Sequence, residues 1–150
     1  MVEDLRLVAF DSDDLAIVSA NLQDALIRVG DMTYLPRSKR FALVAARFDW
    51  VAATKGKMER CYTGLHFERV LKAGRRGFEQ QVPGTMLNLL SISFTQTAEP
   101  AGEVVLTFSG GAAVRLAVEC LEAQLRDIGP RWQAKCCPGH RLEDISKAAS

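Results

Sequence analysis

Several things are scarce in this 150-residue chain, and each scarcity excludes a class of function. Apolar runs reach only a few residues, where a helix crossing a bilayer needs about 18 or more. We therefore expect no helical membrane span. The opening MVEDLRLVAF carries Glu3 and Asp4 where a secretory signal would be basic, which predicts a cytoplasmic protein. Only two histidines occur and no motif ties either to a serine and an aspartate, so no Ser/His/Asp set is assigned, and no Gly-x-Ser-x-Gly elbow is present. SGGAAVRL has the glycines of a phosphate loop without its Gly-Lys-Ser/Thr, and it precedes a strand pattern instead of a helix. The acidic DSDD lacks the later Gly and Glu of a calcium loop. Aromatics make up 7%, and only Phe78 lies among the densest cations, which argues against a nucleic-acid partner.

The four cysteines, in a cytoplasmic protein, should be reduced thiols. Cys136, Cys137 and His140 offer three soft ligands, but adjacent cysteines cannot easily both face one tetrahedral ion. Zinc sites space them by two to four residues. Cys61 and His66, five apart on one strand, fall on opposite faces. Cys120, at the start of a predicted last helix, is best explained as a small core residue. No catalytic residue, metal or cofactor is assigned.

What is present suits one domain, expected over 1–132, with a loosely held tail over 133–150. Apolar residues at 48% and charged residues at 25% match the usual globular mix. LRLVAF reads as a first strand. DSDDLAIVSANLQDA reads as a helix, with Asp11 or Ser12 as its cap and Leu15, Ile17, Val18, Leu22 and Ala25 on its apolar face. LIRV and MTYL are short strands split by Gly30-Asp31, and PRSKR connects the second to FALVAARFDW, an interior strand. VAATKGKMER reads as a loop. CYTGLHFERVLKA alternates, with Leu65, Phe67 and Arg69 opposed to His66, Glu68 and Val70. GRRGFEQQVPGT is a long polar connection. Leu90, Ile92 and Phe94 then share a face, and Val104, Leu106 and Phe108 alternate up to a Gly110-Gly111 turn. Val114, Leu116 and Val118 alternate back. ECLEAQLRDIGP has Leu121, Leu125 and Ile128 at helical spacing, with Gly129 and Pro130 as a stop.

The expected fold is therefore α+β and mostly β. It is an antiparallel bent sheet or small pleckstrin-homology-like barrel with an N-terminal and a C-terminal helix. The alternative is an open antiparallel sheet with both helices on one face. Trp50 and Trp132 are expected to pin loops onto the core.

The stretches DLAIVSANLQDALIRVGDMTYLPRSKRFALVAARFDW, GLHFERV and VVLTFSGGAAVRLAVECLEAQLRDIGPRW together resemble the bacterial family called domain of unknown function 2948. The likeness covers most of residues 5 to 132. It implies a small single-domain cytoplasmic bacterial protein without an assigned activity, and it carries over no site residues.

Charge is unevenly spread. Residues 36–76 hold eleven basic and three acidic side chains for a net +8, which leaves −7 elsewhere in a chain of net +1. The leading reading is a non-enzymatic binding or adaptor module. Arg37, Lys39, Arg40, Lys72, Arg75 and Arg76 would draw an anionic partner if connections 36–40 and 72–76 meet at one end of the sheet. Charged connections also keep a small protein soluble without any ligand, and that reading of the bracketing outweighs the docking one. A second reading is a small-molecule-binding protein or enzyme whose site combines Arg47, Asp49, His66, Glu68 and Arg69, polar groups set in apolar strands where charge needs partners. A third is a homodimer that sets the acidic helix start of one copy against the basic connections of the other.

Overall fold

The computed structural model describes residues 4–134. Ten antiparallel strands form one open sheet that does not close into a barrel. They are β1 (Arg6–Ala9), β2 (Leu26–Arg28), β3 (Met32–Leu35), β4 (Arg40–Phe48), β5 (Glu59–Phe67), β6 (Val70–Arg76), β7 (Met86–Gln96), β8 (Gly102–Phe108), β9 (Ala113–Val118) and β10 (Ala123–Gln133). Their order is β1-β10-β5-β4-β2-β7-β8-β9-β6, with β3 attached to β4 alone. The helices are α1 (Ser12–Asn21) and the short α2 (Trp50–Thr54). No helix among the described residues is long and apolar enough to cross a membrane.

Helix α1 starts where the acidic run places it. Asp11 caps it by accepting from the Asp14 amide at 2.8 Å, and the Asp14 carboxylate in turn accepts from the Phe10 amide at 3.0 Å. One donor that the first turn leaves unpaired, and the amide just before the cap, are so satisfied. Leu15, Val18 and Leu22 are buried against the sheet, whereas Ile17, expected on the same face, is 54% exposed. The core joins them to Ile27, Phe41, Leu43, Leu65, Phe67, Leu89, Leu106 and Leu116. The Gly110-Gly111 turn forms as expected, with φ of 76° and 84°. Side chains with a Cβ rarely take such values.

Three expectations are corrected. The C-terminal helix does not form: residues 123–133 are β10, wedged between β1 and β5. Its alternation of Ala123, Leu125 and Asp127 inward with Gln124, Arg126 and Ile128 outward overrides the helical spacing of its leucines. The second helix falls instead in VAATKGKMER, where Asp49 caps α2 by accepting from the Ala52 amide at 2.9 Å. Finally, CYTGLHFERVLKA is two strands. The chain turns at Arg69, with φ of 60°, and β6 leaves β5 to pair with β9.

Smaller differences follow from strand irregularities. A register shift between Leu89 and Ser91 turns Leu90 outward, away from Ile92. Cys120 lies in the β9–β10 connection, not at a helix start. The expected tail lies mostly outside the described residues, as do Cys136, Cys137 and His140.

Candidate functional site

Alternation along β4 separates two kinds of chemistry. Phe41, Leu43, Ala45 and Arg47 face the core; Ala42, Val44 and Ala46 face the other side, called here the outer face. On β5, Cys61, Thr63, Leu65 and Phe67 point inward, and Tyr62, Gly64 and His66 outward.

The inward end holds a buried ionic network. The Asp127 carboxylate accepts from Arg47 Nε at 2.8 Å and Nη2 at 2.7 Å, from the Thr63 hydroxyl at 2.7 Å and from the Leu5 amide at 2.8 Å. Asp49 accepts from Arg131 and lies 3.9 Å from Arg47. Burial alone would push the Asp127 carboxyl up. The Arg47 fork, the Leu5 amide and the Thr63 hydroxyl outweigh burial and hold it well below the usual carboxylate range. Asp49 is lowered in the same way: burial opposes, and the Ala52 amide with the charges of Arg47 and Arg131 prevails. Burial pushes the neighbouring Cys61 thiol up, against the pull of Arg47. A reactive cysteine needs the reverse shift. Asp127 has four donors on its two oxygens, and the network clamps β1, β4, β5 and β10 together.

The five-residue site expected from the sequence is therefore split. Arg47 and Asp49 belong to this network. His66 and Glu68 lie elsewhere: His66 Nδ1 is 2.7 Å from Glu68 Oε2, and Arg40 forks onto the same carboxylate at 2.7 and 3.2 Å. Burial raises the Glu68 carboxyl, but bonds from Arg40 and His66 leave it lowered. Along β5, His66 stands five residues from Cys61, the partner of Arg47 in the ladder, or about 17 Å at ~3.4 Å per residue. It also faces the other side. Arg69 pairs with Glu122 at 3.8 Å.

The basic set is also dispersed. Residues 72–76 are strand, not connection, so Lys72, Arg75 and Arg76 run along β6 away from the β3–β4 turn that carries Arg37 and Lys39. Lys39 pairs with Glu119, Arg40 with Glu68, and Arg75 lies 4.0 Å from Glu79. Among the described residues no group of three His, Cys, Asp or Glu is placed to hold a metal ion.

The outer face supplies a site that sequence reasoning missed. A trough of about 670 Å³ runs over it. Its floor is low because β4 contributes only Val44 and Ala46 there. One wall is Leu26 and Met86; the other is Tyr62, Ile128 and Trp132. A bulge builds that second wall: Asp127 to Arg131 spans four steps on β10 but only Thr63 to Cys61 on β5. The extra residues carry Ile128 and Gly129 out over Tyr62. Gly129 permits this, since a Cβ there would stand 3.2 Å from that of Tyr62. The rings of Tyr62 and Trp132 meet at 4.8 Å and remain 48% and 37% exposed. Trp132 is thus not the loop anchor expected of it, although Trp50 is: its indole donates to the Gln23 carbonyl at 3.1 Å and its ring packs edge-on to Phe48. Arg28, Asp31 and Arg60 edge the trough.

A family model described as "Protein of unknown function (DUF2948)" matches residues 5–140. The chain belongs to this family. No curated protein and no solved structure matches it. The DUF2948 match begins at Leu5, whose amide binds Asp127, and continues past Trp132, so the buried network and both walls of the trough fall within it.

Proposed function

We propose that this DUF2948 protein is a non-enzymatic binding module that holds a segment of a partner protein in the outer-face trough. The observation that carries this reading is the exposed Tyr62–Trp132 pair over a floor of small residues, with Ile128 and Met86 more than half exposed beside it. Aromatic side chains in a depression are the groups that anchor protein partners, because they remove much area from water at little conformational cost. At the edge Arg28 lies 3.7 Å from Asp31 and Arg60 donates to the Ala46 carbonyl at 2.9 Å, a positive balance that favours a segment with an acidic residue beside its apolar anchors. The anionic partner, the lesser reading of the sequence, is taken up here, with Arg28 and Arg60 in place of the basic connections.

Selection of random dodecapeptides displayed on phage against the immobilised protein tests the proposal. Selected peptides should share an aromatic or large apolar residue next to Asp or Glu. They should bind the Tyr62→Ser/Trp132→Ser protein about 30-fold more weakly or worse, the loss expected when a hot-spot side chain worth ~2 kcal/mol is removed. Equal binding to both proteins would remove the trough from consideration.

A further inference from the structure

The open sheet leaves two bare strand edges facing each other. β6 ends the strand order, and β3 is paired on one side only. A cleft of about 270 Å³ lies between them. Its lining includes Met32, Thr33 and Tyr34, consecutive on β3, and Ala73, Gly74 and Arg75, consecutive on β6. Neighbouring residues of a strand send their side chains to opposite faces. Three in a row can line one cleft only along the backbone edge, so both walls of this cleft are edges.

The hydrogen bonds agree. Val70 turns its main chain away from β9: its amide donates to the Lys39 carbonyl at 2.8 Å, and its carbonyl accepts from the Tyr34 hydroxyl at 2.9 Å. These bonds stitch the upper end of the gap. A bulge at Leu71 follows, after which Lys72 pairs with Ala117 and Gly74 with Arg115. By the alternation of an antiparallel ladder, Ala73 and Arg75 direct their N–H and C=O groups into the cleft. Among the described residues neither makes a backbone bond across that edge.

We propose that this cleft is a slot for an added strand, filled by an extended segment of a partner protein that alternates acidic with apolar residues. Strand addition recognises main chain by hydrogen bonds and side chains by the pockets they meet in alternation. Phe41, Val114 and Phe78 offer the apolar floor. Lys72, Arg75 and Arg76 on β6 set the charge, against Glu79 at 4.0 Å from Arg75. The same cations repel the matching edge of a second copy, as edge lysines do in other sheets. This site is separate from the trough.

The test is an array of immobilised hexapeptides with Val, Ile, Leu or Phe at alternate positions and Glu, Gln or Lys at the others, probed with the full-length protein. Glu-bearing members should bind about tenfold more tightly than their Lys counterparts. Methylating alternate backbone amides of the best binder should weaken it about tenfold, the loss of one or two hydrogen bonds, with its charge unchanged. Ala73→Pro removes one outward N–H while sparing the ladder to β9, and should weaken binding similarly. Trp132→Ser should leave array binding intact, which separates failure here from failure of the trough. Indifference to peptide charge, or a methylated peptide bound as tightly as its parent, would overturn the proposal. Should Ala73→Pro not fold, the methylated peptide on the unmodified protein decides.

Discussion

Asp127 is 5% exposed and Arg47 is 4% exposed, so each charge relies chiefly on the other, with Asp49 and Arg131 farther off, in place of water. Removing Asp127 strips Arg47 of both short bonds and leaves it only Asp49 at 3.9 Å, a loss of ~3–5 kcal/mol. Asp127→Ala should lower unfolding stability by that amount in urea denaturation. Glu103→Ala, which breaks an exposed pair with Arg115, should cost ~1 kcal/mol or less. The chain announced half of this arrangement. Arg47 and Asp49 stand in an apolar run where charge demands a partner, and both are paired. Their partners Asp127 and Arg131 were hidden because the segment holding them imitates a helix. Trp132 was hidden for the same reason: once residues 123–133 alternate as a strand, it falls on the outer side with Ile128.

At the scale of elements, strands with strict alternation were readable and those with irregularities were not. Val104, Leu106 and Phe108 are buried as expected. In β7 one extra residue at Leu90 reverses the faces, and in β10 Gly129-Pro130 marks a bulge where a helix stop was expected. A bulge depends on what the partner strand offers, which no single stretch of chain records. Glycine at the start of β8 has a similar tertiary cause. A Cβ on Gly102 would stand 2.4 Å from the Phe94 ring, whereas one on Gly74 meets nothing within 4 Å. Gly102→Ala should therefore destabilise by ~1–3 kcal/mol through overpacking, and Gly74→Ala should change stability little. Thermal unfolding of the two variants side by side checks this.

Across the whole molecule the shifted carboxylates point one way. Asp49, Glu68 and Asp127 all have folded pKa values below their ordinary ones. A depressed carboxyl stabilises the folded state above the unfolded pKa and loses that contribution as pH falls through the folded value. The ordinary values are 3.8 and 4.5, so stability should be level from neutrality to about pH 5 and decline below it. Urea midpoints measured between pH 7 and pH 3 should show the decline, and Asp127→Asn should flatten it. A profile of unchanged slope in the variant would mean that other groups carry the acid response. The charge imbalance between residues 36–76 and the rest was plain in the chain; its distribution over a turn and an open strand edge was not.

The strand order also constrains how the protein is made. Among the described residues β1 pairs with β10 alone, and β10 is the last strand in sequence. On the ribosome, β1 must wait until residues 123–126 have emerged before it finds this neighbour, and Asp127 arrives to hold Arg47 only then. Among the described strands, β1 is thus the one that waits longest for its neighbour.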